Sequence, residues 1–318
     1  MSTTRNRTAV RPSTTPAQRL RSSCAAVRVS FTWLGMRKTL TPQQKAEAAE
    51  SFGAKGQYLS AGKKLLDTKH PSFKAVTAVR GKVLALWKGL TLPYPEPGIR
   101  LIRQSEVEQF DQQMKLRQGE LAEAVQQLDR RFSELKSSAR ERLGRLFDAS
   151  DYPSTLEGWF KVEWDFPSVE PPEYLKDLNQ EIFEQERARA AARFDDAVRL
   201  AESAFLEEFA KLVSHICERT SGDKKVFRDS MVENLVEFFD RFRKLNVQSN
   251  EDLDALVERA QQIVRGIEPD ALRSNQRLRQ SIAQQLSGVQ QTLEGMLVDR
   301  PRRRILRTPV TQLAAEGA

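Results

Sequence analysis

The sequence predicts a mainly α-helical protein: an elongated helical bundle with a long antiparallel coiled-coil hairpin and a short N-terminal extended segment. Three observations lead there. Apolar residues recur at helical spacing over most of the 318 residues. The chain has only 15 Gly and 14 Pro, and many of the prolines fall between Leu92 and Pro172, so long stretches lack helix breakers. Charged residues make up 30% against 39% hydrophobic, a balance that suits long helices with much exposed surface.

Residues 1–26 are rich in Ser, Thr and Arg and offer little to bury, so they read as a disordered basic arm. From Val27 to Trp33 apolar and polar residues alternate, which predicts a short strand with Val27, Val29, Phe31 and Trp33 on one face. No partner strand is evident, so an extended arm packed on helices is the alternative. Thr41-Pro42 has the form of an N-cap followed by proline at the first helical position. Ser72 to Leu90 carries Phe73, Val76, Val79, Val83, Leu86 and Trp87 at helical spacing, and His70 before it suits a cap or turn. Tyr94, Pro95, Pro97 and Gly98 form a stiff connector that closes a region spanning 27–98.

The long hairpin is expected over 99–222. Ser105 with Glu108 matches a capping box at the start of a helix running to about Asp148. Val107, Met114, Leu121, Leu128 and Leu135 recur every seven residues, with Val125, Phe132, Ala139 and Leu146 as a second line. Asp111, Gln118 and Arg142 interrupt this seam, which favours an intramolecular hairpin over an oligomeric coiled coil. Residues 151–172 would form its tip. The second arm, from about Glu173 to Arg219, carries an apolar stripe that includes Leu178, Ile182, Phe194, Phe205 and Phe209. Residues 223–299 hold C-terminal helices: one over Lys225–Leu245, one capped by Ser249 or Asn250, and one opened by Pro269. Residues 300–318 read as a basic disordered tail.

The formal net charge of +8 is unevenly placed. Met1 to Lys45 has nine Lys or Arg and no acid, while Arg300 onward has five Arg and one Glu, so the stretch between carries −5. One internal patch is basic: Lys63, Lys64, Lys69, Lys74, Arg80, Lys82 and Lys88 face the single Asp67. With Arg302, Arg303 and Arg304 these residues are the candidate contacts to a phosphate backbone. The tip supplies a second candidate. Tyr152, Trp159, Phe160, Trp164 and Phe166 are too aromatic for an idle linker and suit a partner-binding surface or a cap over the core. Acids outnumber Lys161 there, which argues against a phosphate ligand.

Catalytic, cofactor and metal signals are missing from the sequence. The only histidines are His70 and His215, and paired Cys/His zinc spacings and Glu-x-x-His do not occur. His215 and Cys217 are two apart on a predicted helix and do not share a face. Neither Gly53-Ala54-Lys55-Gly56 nor Gly62-Lys63-Lys64 completes a phosphate-binding loop. No cofactor is expected, and no apolar run approaches the ~20 residues of a membrane span. Cys24 and Cys217 are too few for a disulfide framework, which points to a reducing, cytoplasmic setting.

The order Val27-Arg28-Val29-Ser30, Trp33-Leu34-Gly35-Met36-Arg37-Lys38-Thr39-Leu40, Gly62-Lys63-Lys64-Leu65-Leu66 and the Phe73–Arg80 helix resembles a bacterial and bacteriophage family known only as a domain of unknown function. The resemblance covers roughly residues 27–298. It implies a bacterial or mobile-element setting and carries over no catalytic residue. Three classes of function follow. The first is a non-enzymatic helical scaffold with a protein partner or self-association. The alternative is a nucleic-acid-associated protein using the Lys/Arg patch, and an enzyme would need a site of unfamiliar form.

Overall fold

The computed structural model describes residues 14–220, 230–267 and 275–298. The fold is mainly helical, with its strands in two small open sheets. The chain divides into two compact units, Met1–Ala201 with Leu245–Val247, and Glu202–Lys244 with Gln248–Ala318.

In the first unit, helix α1 (Pro16–Ser23) lies inside the stretch expected to be disordered. Thr15 accepts from the Gln18 N–H, the Gln18 side chain accepts from the Thr15 N–H, and Pro16 opens the first turn. Ala17 and Leu20 are buried. A reading based on Ser and Arg content misses two well-placed apolar residues behind a capping box. Strand β1 (Cys24–Trp33) follows directly and begins three residues earlier than expected.

The partners that β1 needs are β5 (Ile99–Arg103) on one side and β6 (Phe160–Asp165) on the other. With β4 (Thr91–Pro93) they form an antiparallel sheet in the order β4-β5-β1-β6. The proline-rich connector is therefore the turn of the β4–β5 hairpin, where Gly98 takes a positive φ of 81° that favours glycine. Strand β6 falls within the expected tip of the hairpin. Phe160, Val162 and Trp164 turn inward between the exposed Lys161, Glu163 and Asp165, an alternation with the period of a strand. Residues 151–172 thus return the chain to the sheet and do not link two helices. A second sheet pairs β2 (Arg37–Thr39) with β3 (Gly62–Lys64).

Local helix signals hold well. Thr41 and Gln44 make the capping box of α2 (Pro42–Glu50), and His70 Nδ1 accepts the Ser72 N–H at 3.3 Å to cap α3 (Pro71–Leu90). The long seam behaves differently. It is split between α4 (Val107–Arg130) and α5 (Phe132–Leu143), broken at Arg131. Ser105 sits in a single 3₁₀ turn before α4 and does not cap it.

Met114, Leu121, Leu128 and Leu135 are buried as the seven-residue repeat requires, but the predicted partner does not cover them. Their cluster contains Phe73, Val76, Val79 and Val83 of α3 with Val27, Val29, Phe160 and Val162 of the sheet, and among the described residues none beyond Trp164. The hairpin of 105–148 against 173–219 is replaced by a layer of α3 and α4 on the sheet. An apolar seam specifies burial, not the identity of the covering face.

The second expected arm is interrupted at Asn179, whose extended backbone separates α6 (Tyr174–Leu178) from α7 (Gln180–Thr220). Asn179 Oδ1 accepts the Ile182 N–H at 3.1 Å and so caps α7. Phe194 of α7 packs edge-on to Tyr94 at 5.7 Å.

The second unit has its own core. Phe209 stacks on Phe238 of α8 (Ser230–Leu245) at 5.1 Å, with Phe205, Phe239 and Phe242 around them. Helix α9 (Glu251–Val264) is capped by Asn250, whose Oδ1 accepts the Leu253 N–H at 3.0 Å. Helix α10 (Gln276–Val298) buries Ile282, Leu286, Val289 and Leu293. The start of the helix expected over Lys225–Leu245, the Pro269 start of the last helix, residues 1–13 of the arm and the tail 300–318 lie outside the described residues.

Candidate interaction surfaces

Position along two strands and one helix decides which members of the basic patch are free. Successive side chains of β3 point to opposite faces, so Lys63 and Lys64 cannot share a surface. Lys63 turns inward with 5% of its side chain exposed, its ammonium 2.5 Å from Asp151 Oδ2, and donates to the Leu146 carbonyl at 2.6 Å. Lys38 pairs with the same carboxylate, whose side chain is 1% exposed. Burial alone would raise the Asp151 carboxyl, but the two ammonium groups outweigh it and hold the carboxyl below its usual range. Lys63 is therefore a structural ion and no phosphate contact.

Arg80 is similarly engaged, with its guanidinium 5.0 Å from the Phe31 ring centroid and 4.8 Å from that of Trp33. Lys82 pairs with Glu120 at 3.1 Å. Lys64, Lys69, Lys74 and Lys88 are exposed and have no ion pair among the described residues. Arg302, Arg303 and Arg304 lie outside the described residues.

The five aromatics of the supposed tip divide by burial. Tyr152 is buried, donates its hydroxyl to the Leu65 carbonyl at 2.9 Å and stacks on Phe147. Phe160 is buried against Trp33 at 4.9 Å and Phe73 at 6.4 Å. Trp164 is half-buried and donates its indole N–H to Asp111 Oδ1 at 3.0 Å. These three belong to the core and do not form a docking surface.

Trp159 and Phe166 stay exposed, and the exposure continues through Tyr174 (62%), Leu178 (75%) and Ile182 (47%). Leu178 and Ile182 were expected on the buried stripe of a hairpin arm. The missed signal is Asn179, a good N-cap residue that restarts the helix between them.

A groove of about 640 Å³ runs between α4 and the outer edge of β6. Leu121, Val125 and Val162 contribute apolar wall, and Gln118 Nε2 donates across it to the Val162 carbonyl at 3.0 Å. Glu123, Asp129, Glu157 and Glu163 line it against the single Lys161, so its field is negative. Asp129 is tied to the Leu156 N–H at 2.7 Å and to the Thr155 hydroxyl at 3.0 Å, which fixes the loop entering β6.

Among the described residues no group of three or more His, Cys, Asp or Glu could hold a metal ion. Cys24 and Cys217 are both buried, and burial pushes both thiols up, away from the reactive thiolate. His215 is exposed while Cys217 is buried, so the two stand on different faces of α7 as their spacing predicts. No described helix is long and apolar enough to cross a membrane. No family model, no curated protein and no solved structure matches the chain.

Proposed function

We propose that the protein is a non-enzymatic helical scaffold that works by binding another protein, in the bacterial or mobile-element setting that the family resemblance implies and the cytoplasmic one that its two cysteines suggest. One observation carries this reading. Trp159, Phe166, Tyr174, Leu178 and Ile182 expose large apolar surface within 24 residues. Such concentrations cost solubility and typically mark protein contacts.

The test is a pull-down from the native host with the full chain, with and without nuclease. A defined protein partner that survives nuclease and is lost on Tyr174→Ser, Leu178→Ser and Ile182→Ser together supports the scaffold. All three positions are exposed, so the fold should tolerate the change.

A second reading rests on the exposed Lys64, Lys69, Lys74 and Lys88. Lys74 and Lys88 stand ~21 Å apart along α3, within ~40° of one stripe. If the captured material disappears with nuclease, and mutation of these four lysines to Glu flattens a steep salt dependence of nucleic-acid binding, backbone contact replaces the scaffold.

A further inference from the structure

We infer that the groove between α4 and β6 accepts an extended basic segment of a partner protein, which adds to the sheet as a strand beside β6. This site goes beyond the exposed apolar segment, because none of those five exposed side chains lines the groove.

The backbone carries the first part of the argument. β6 is the last strand of an open sheet and pairs with β1 on one side only. Peptide groups of successive residues in an antiparallel strand alternate between its two sides. The Val162 carbonyl reached by Gln118 therefore marks the outward side, and Phe160, two residues earlier, presents its peptide group to that side as well. Both residues line the groove. An edge of this kind is a template for another strand, and α4 keeps it from meeting a second sheet face-on, so a guest must enter lengthwise as a single segment. Phe160 to Trp164 spans roughly 16 Å, the length of about five extended residues.

Chemistry supplies the guest's character. Glu123, Glu157 and Glu163 have no ion-pair partner among the described residues, and they surround an apolar wall built from Leu121 and Val125. A strand alternating Lys or Arg with small apolar residues would put its charges toward the carboxylates and its apolar side chains toward that wall. Gln118 already holds one edge carbonyl with a side-chain amide, and a peptide N–H would take its place.

The experiment titrates the full chain into a fluorescein-labelled Lys-Val-Lys-Val-Lys-Val peptide and reads anisotropy. Two control peptides share the design: Glu-Val-Glu-Val-Glu-Val, and the Lys-Val peptide with alternate amides N-methylated. The Lys-Val peptide should bind at least about tenfold tighter than either control. Glu123→Lys with Glu163→Lys should weaken it about tenfold. Ala122→Trp, at an exposed position lining the groove, should abolish binding while the circular dichroism spectrum stays that of the parent.

Exchange at the Val162 and Phe160 amides should slow when the peptide is bound. Equal binding of the N-methylated peptide would reduce the effect to charge alone and overturn strand addition. Peptide binding unchanged by Ala122→Trp would remove the groove. Loss of the peptide on Tyr174→Ser, Leu178→Ser and Ile182→Ser would assign it to the apolar surface instead, and so separates this site from the scaffold reading.

Discussion

A carboxylate as enclosed as Asp151 persists because two lysines meet it from different strands, Lys38 of β2 and Lys63 of β3. Breaking one side of a buried pair costs more than the pair contributes, because the remaining charge stays desolvated. Asp151→Asn should therefore lower stability by about 3 kcal/mol at neutral pH, read from urea denaturation. The folded Asp151 carboxyl lies below its ordinary value, so its stabilisation is fully present above the unfolded pKa of about 3.9. It is lost as pH falls below that value through the depressed folded one. The difference between parent and Asp151→Asn should hold from pH 7 to about 5 and shrink below about pH 4. A constant difference down to pH 3 would mean that the ion pair is not its source. Nothing in the sequence links residues 88 positions apart, so Lys63 reads there as one more surface lysine. The pleat of a three-residue strand is too short to register as a period.

Elements were legible where the signal was local. Thr41, His70 and Asn250 cap the helices that they were expected to cap or precede, because a cap is a few-residue interaction. Pairing was not legible, since a seven-residue repeat reports a buried stripe whatever lies across it. The three positions that interrupt the repeat show what does lie there. Asp111 takes the Trp164 indole, Gln118 the Val162 carbonyl, and Arg142 comes within 3.8 Å of Asp67. Breaks in a coiled-coil pattern were thus polar contacts to a sheet edge and a loop.

Gln118→Leu, which restores the repeat, should lower stability by about 1 kcal/mol through loss of that hydrogen bond. A coiled-coil partner would make the same change stabilising, so the sign of the shift in the urea midpoint decides. Leu128→Ala should cost about 3 kcal/mol, since Leu128 is wholly buried among α3 and sheet side chains. Leu116→Ala on the same helix should stay within about 0.5 kcal/mol, because Leu116 is 54% exposed.

At the scale of the whole molecule, the described residues divide into two compact units, each with its own core, where the helical periodicity suggested a bundle. Stripe continuity along a 41-residue helix such as α7 hides the change of core, because Phe194 and Phe209 read alike in sequence. Phe194 packs on Tyr94, whereas Phe209 and Phe205 pack on Phe238 and its neighbours. Separate cores should open as separate cooperative units. Phe238→Ala removes a ring in contact with four others and should cost about 3–5 kcal/mol, spent within its own unit. Native-state hydrogen exchange should then show faster amides in α8, α9 and α10, with β1 and β5 at parental protection. Ile102→Ala, in the first core, should give the reverse map. If either substitution accelerates both sets equally, the two cores unfold as one unit, and stability must be counted for the chain as a whole.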